Sequence, residues 1–95
     1  MSELLDKAVI ALGNRMQGAF DGSAKFVIRD EGAVMIDGGG IRVSDERADV
    51  TLTSDAETFQ AILAGDLNPT TAFMQGRLTV EGDMGTAMQL GTVLS

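Results

Sequence analysis

The sequence predicts an α+β domain, an α/β fold in which helices cover a single sheet of short strands. Apolar residues recur every three or four positions at both ends of the chain and every second position in its middle. Turn signals at Asp30-Glu31-Gly32 and Gly38-Gly39-Gly40 cut that middle into strands of hairpin length. With 95 residues, one hydrophobic core is within reach and a second is not, so residues 1–95 are expected to form a single domain.

Within the first nineteen residues, Leu5, Val9, Leu12 and Met16 start a stripe that Phe20 continues, with Ala8 and Ala19 beside it. Ser2 is placed to cap this helix, Glu3 and Asp6 sit near its positive end, and Gly18 or Gly22 would stop it. From Ala24 the period becomes two. "AKFVIR", "AVMID" and "IRV" read as an antiparallel meander with Phe26, Ile28, Val34 and Ile36 on one face. Val27 and Met35 are apolar on the other face, which predicts a sheet covered in part on both sides. "ADVTLT", 48–53, alternates cleanly, with Ala48, Val50 and Leu52 inward.

Ser54 stands three residues before Glu57, a capping box for a helix that runs through Ala64 and is closed by Gly65. Asn68-Pro69 supplies an N-cap and a first-turn proline for a short helix carrying Ala72, Phe73 and Met74, stopped by Gly76. "RLTVEG" is a last strand with Leu78 and Val80 on one face. Asp83 then caps a final helix whose stripe is Met84, Ala87, Met88, Gly91 and Leu94, widened by Leu90 and Val93. That stripe is broader than one packing face needs.

Composition removes most chemistry. Seven basic against 14 acidic residues leave a net charge of −7, which repels phosphate backbones and anionic headgroups, so neither nucleic acid nor strong anionic-membrane docking is expected. Without His or Cys the usual nucleophile–base pairs cannot be built, and Lys7 and Lys25 are the only lysines for a Ser–Lys arrangement. The carboxylates Asp45, Glu46 and Asp49 fall in a turn and strand start, where a solvated loop accounts for them. No metal is expected, because only oxygen ligands remain and the calcium-loop spacing is absent. The run Gly38–Gly40 lies between strands beside Asp37, which suits a hairpin and not a phosphate cradle. The longest apolar run, "AVIAL" at 8–12, is too short to span a bilayer. No secretory leader is visible, and the absence of cysteine fits a cytoplasmic protein. What remains is apolar and adaptable: five methionines besides Met1, a side chain that re-packs around irregular partners or simply fills a core.

Three stretches together resemble the sterol carrier protein 2 (SCP2) family of lipid-transfer domains: "ADVTLTSDAETF", then "ILAGDLNPTTAFMQGRLTVEGDM" from 62 to 84, then "AMQL" at 87–90. The likeness is close over residues 48–94, and over 1–47 it lies in the order of elements. It implies a mostly antiparallel five-stranded sheet covered by helices, with an apolar tunnel between them. The implied function is to hold one sterol, fatty acid, acyl-CoA or other hydrophobic chain without transforming it, with no cofactor and no enzymatic activity. By position in the motif, Phe59, Leu63, Leu67, Phe73 and Met74 would be part core and part tunnel wall. Met84, Met88 and Leu94 would line or gate the mouth. Animal members of the family tend to be basic, and this chain is not. The ending "TVLS" carries no peroxisomal address, which points to a bacterial cytoplasm. The alternative is a scaffold or accessory protein of lipid or quinone biosynthesis, acting through a homodimer or a partner enzyme, with Leu90 and Val93 as its exposed contact flank.

Overall fold

The computed structural model describes residues 3–15 and 22–94, apart from the side chains of residues 15, 93 and 94. The order is α1 (Glu3–Arg15), β1 (Ser23–Ile28), β2 (Gly32–Asp37), β3 (Gly40–Val43), β4 (Val50–Ser54), α2 (Ala56–Ala64), α3 (Pro69–Met74), β5 (Thr79–Gly82) and α4 (Met84–Leu94). Five strands make one mixed sheet in the order β3-β2-β1-β4-β5. Three pairings are antiparallel, and β1 runs parallel to β4. The expected α+β class and five-stranded, mostly antiparallel sheet are therefore present.

Side-chain alternation puts Ala24, Phe26, Ile28, Val34, Ile36, Val50 and Leu52 on the face that meets the helices, all of them buried. Phe59 and Ile62 come down from α2, and Leu5, Ala8 and Leu12 from α1, into the same core. The rings of Phe26 and Phe59 meet with centroids 4.8 Å apart at 55°. On α1 the innermost residues are Leu5, Ala8 and Leu12, while Val9 is half-buried and Ile10 is exposed. Ser2, Met16, Ala19 and Phe20, and the stop expected at Gly18, lie outside the described residues.

The opposite face is covered over β2, where Ala33 and Met35 are buried. The connection from β3 to β4 must pass β2 and β1, and it crosses on this side: Lys25 Nζ on β1 reaches Asp45 Oδ1 at 3.0 Å. Arg42 on β3 holds Asp37 with two hydrogen bonds of 3.1 and 3.0 Å and approaches Glu46 at 3.4 Å. This strap is why Met35, on the outer face by alternation, is shielded from water. The connection closes at Asp49, whose N–H meets Ser23 Oγ at 2.9 Å and whose carboxylate accepts from Ser23 N at 3.0 Å.

The cap of α2 differs from the sequence reading. Ser54 does not cap α2; it is the last residue of β4, buried and paired with Ile28. Asp55 is the cap, accepting from Thr58 N at 2.7 Å. The strand claims Ser54 because its register with β1 continues one residue beyond the hydrophobic alternation. The helix stops expected at Gly65 and Gly76 are present. Gly65 and Gly76 adopt positive φ, and the following residues bond back, Asp66 N to Ala61 O and Arg77 N to Ala72 O, in Schellman fashion. Gly82 is a different case, with φ +113 at a place where a Cβ would overlap the carbonyl oxygen of Asp49. The close approach lets Asp83 N bond Asp49 O at 2.9 Å and aims the chain into α4.

Candidate apolar binding cleft

The elements on the β5 side leave a gap between α3, α4 and the sheet. Asn68 starts α3 by accepting from Thr70 N at 2.8 Å, and Pro69 occupies the first turn. Asp83 starts α4, its Oδ1 accepting from Gly85 N at 2.9 Å and Thr86 N at 3.4 Å. From α4, Met84, Ala87, Met88 and Gly91 project as an i, i+3, i+4, i+7 stripe, while Thr86 and Leu90 turn to the buried side. Across from the stripe stand Pro69, Thr70 and Phe73 of α3, and the floor is Leu52, Leu78 and Val80, with Leu52 and Val80 paired between β4 and β5.

These residues enclose a cleft of about 290 Å³. Among its described walls Thr70 is the only polar side chain and none is charged. It is open to solvent along the rim, where Phe73 is 45%, Met84 49% and Met88 72% exposed. The described residues thus outline an open cleft; they do not outline a closed tunnel. Gly91 matters for its emptiness, since a Cβ there would meet nothing within 4 Å.

The residues implied by the family resemblance divide between several places. Phe73, Met84 and Met88 stand together around the cleft. Phe59 is wholly buried against Phe26, and Leu63 and Leu67 pack half-buried on the core; none of the three is a wall of this cleft. Met74 points away into solvent, 79% exposed, because helical spacing puts it about 100° around α3 from Phe73. The side chains of Leu94 and Val93 lie outside the described residues. Leu90, expected on an exposed flank, is fully buried in the core, since α4 packs that side against the sheet. Missed as walls were Leu52, Pro69, Thr70, Leu78, Val80, Ala87 and Gly91. The alternation of "ADVTLT" and "RLTVEG" identified the three floor residues as inward-facing, but the gap above them depends on how α3 and α4 spread.

Displaced ionisations lie elsewhere. The Arg42 guanidinium, aided by the Gly39 N–H, holds the Asp37 carboxyl below its ordinary range, and the paired Asp37 raises Arg42 in turn. Asp55 is lowered chiefly by the Thr58 N–H of its cap, then by the Thr58 hydroxyl, with more distant help from Arg77 and Arg29. Among the described residues no three acidic side chains converge on a metal-sized site.

The model of the SCP-2 sterol transfer family matches residues 6–95. The chain belongs to the SCP-2 sterol transfer family. Its SCP-2 relatives include human sterol carrier protein 2, 47% identical over 47 residues, which are 50% of this chain and 9% of that protein. Hydroxysteroid dehydrogenase-like protein 2 of Danio rerio is 45% identical over 49 residues, 52% of this chain and 12% of that protein. The match thus spans about a tenth of the length of these curated relatives. Among solved structures, the sterol carrier protein domain 2 of Helicoverpa armigera superposes with a TM-score of 0.71 at 27% identity, covering 95% of this chain and 81% of that one. Sterol carrier protein 2 of Aedes aegypti, solved in complex with the C16 fatty acid palmitate, superposes at 0.76 with 22% identity, covering 100% and 97%. The SCP-2 fold is common to all three.

Proposed function

We propose that this SCP-2 domain, residues 1–95 acting as one unit, is a non-catalytic carrier that binds a single hydrocarbon chain in the cleft between α3, α4 and β5. The observation that carries the reading is the lining: Leu52, Leu78, Val80, Phe73, Met84 and Met88 converge with no charged side chain among the described walls. Such a wall stabilises a ligand by removing apolar surface from water and has little to say about its headgroup. Membership of a sterol transfer family supports it, as does the palmitate complex of a protein with a similar fold. A volume of about 290 Å³ falls just short of the range of roughly 300–1,000 Å³ usual for small-molecule pockets, which suits one chain with its polar end left at the open rim.

The test is a series of saturated fatty acids of increasing length. Each buried methylene contributes about 0.8 kcal/mol, so the dissociation constant should fall about fourfold per methylene until the cleft is full and then level off. An affinity independent of chain length, or no uptake at any length, overturns the reading.

A further inference from the structure

The sulfur-bearing residues are placed unequally. Met84 and Met88 line the cleft one helical turn apart, 49% and 72% exposed, so peroxide in solution can reach their thioethers. Met74 is more open still, at 79%, but is not a wall of the cleft, and Met35 is sealed beneath the β3–β4 strap at 1% exposure. With no cysteine in the chain, methionine is its only oxidisable sulfur.

We infer that Met84 and Met88 form an oxidation site through which hydroperoxides switch off chain binding. The inference rests on the carrier reading of the same cleft. The thioether sulfur attacks one peroxide oxygen, the O–O bond breaks and an S–O bond forms. Sulfur is oxidised by two electrons, the peroxide is reduced, and the departing oxygen takes up a proton to leave as water, or as an alcohol from an alkyl hydroperoxide. Each sulfoxide puts a strong acceptor on a wall where, among the described residues, Thr70 is the only polar side chain. A bound chain must then either strip water from that oxygen or be excluded, and desolvating an unpaired polar group is unfavourable enough to weaken binding by tenfold or more. The same geometry makes the chain a shield for the two sulfurs it covers.

The experiment treats the protein with graded hydrogen peroxide, with and without palmitate. Sulfoxide at each methionine is read by peptide mass spectrometry, and palmitate affinity is measured on the same samples. Met74, Met84 and Met88 should oxidise well before Met35, and palmitate should slow Met84 and Met88 but not Met74. Affinity should fall at least tenfold as the cleft pair oxidises. The double variant Met84→Leu/Met88→Leu has no oxidisable sulfur on the described cleft wall, so its palmitate affinity, whatever its untreated value, should not change on peroxide treatment. Undiminished affinity in the fully oxidised wild type overturns the inference, and so does an equal loss in the double variant, which would place the damage elsewhere. If untreated protein binds no palmitate or other chain, the carrier reading itself fails and the switch with it, an outcome distinct from binding that oxidation leaves intact.

Discussion

Phe59 and Met88 are both large and apolar, both sit on helices, and the fold uses them in opposite ways. Phe59 is wholly enclosed against Phe26, whereas Met88 faces the cleft with most of its surface in water. Phe59→Ala should therefore lower the unfolding free energy by about 3–5 kcal/mol through lost burial and a residual cavity, as read by urea denaturation. Met88→Asp should leave stability within about 0.5 kcal/mol, because the new carboxylate stays hydrated, yet abolish measurable palmitate uptake. Equal losses of stability in the two variants would contradict this division of labour. Periodicity cannot separate the pair, since helical spacing reports which residues share a face and not whether that face meets a core or a gap.

At the scale of elements, the cleft exists because α3 and α4 are held apart while each is anchored separately. Asn68, Pro69 and the glycine stop at Gly76 fix α3, and Asp83 together with the tight Gly82 approach fixes α4. Gly91 then keeps the space between them open. Gly91→Leu should separate folding from function: a better helix former stabilises α4 by about 0.5–1 kcal/mol, while its side chain fills the cleft and cuts palmitate affinity at least tenfold. Thermal melting and binding on one preparation check both signs, and retained affinity would show that the chain lies elsewhere. These caps and stops were legible from residue types, apart from the shift from Ser54 to Asp55 that strand register imposed.

For the whole molecule, an excess of acidic groups meets a few local clamps. Asp37 and Asp55 both have pKa values below the ordinary 3.8, the first held by Arg42 and the second by the Thr58 N–H. A carboxylate depressed in the folded state binds its proton less tightly than in the unfolded chain. Its contribution is therefore complete above 3.8 and is lost as pH falls through the depressed folded value. Stability should begin to drop as the pH falls below 3.8, and Asp37→Asn/Asp55→Asn should make the drop shallower. A urea midpoint that falls equally steeply with pH in wild type and double variant would count against the clamps. The cleft holds no charged side chain among its described walls, so the uptake of an uncharged chain by folded protein should not follow this profile.

By itself the sequence determined the class of fold, the strands of the sheet, the glycine stops and the apolar stripe Met84-Ala87-Met88-Gly91, because each is written in local spacing and turn chemistry. Its motifs also carried the family resemblance. The tertiary structure decided the parallel pairing of β1 with β4, the strap that buries Met35, the burial of Leu90 and the opening of the cleft over Leu52, Leu78 and Val80. These depend on contacts between residues far apart in the chain. The core is a balance among competing burials, and which apolar face remains uncovered is settled only when every helix has taken its place.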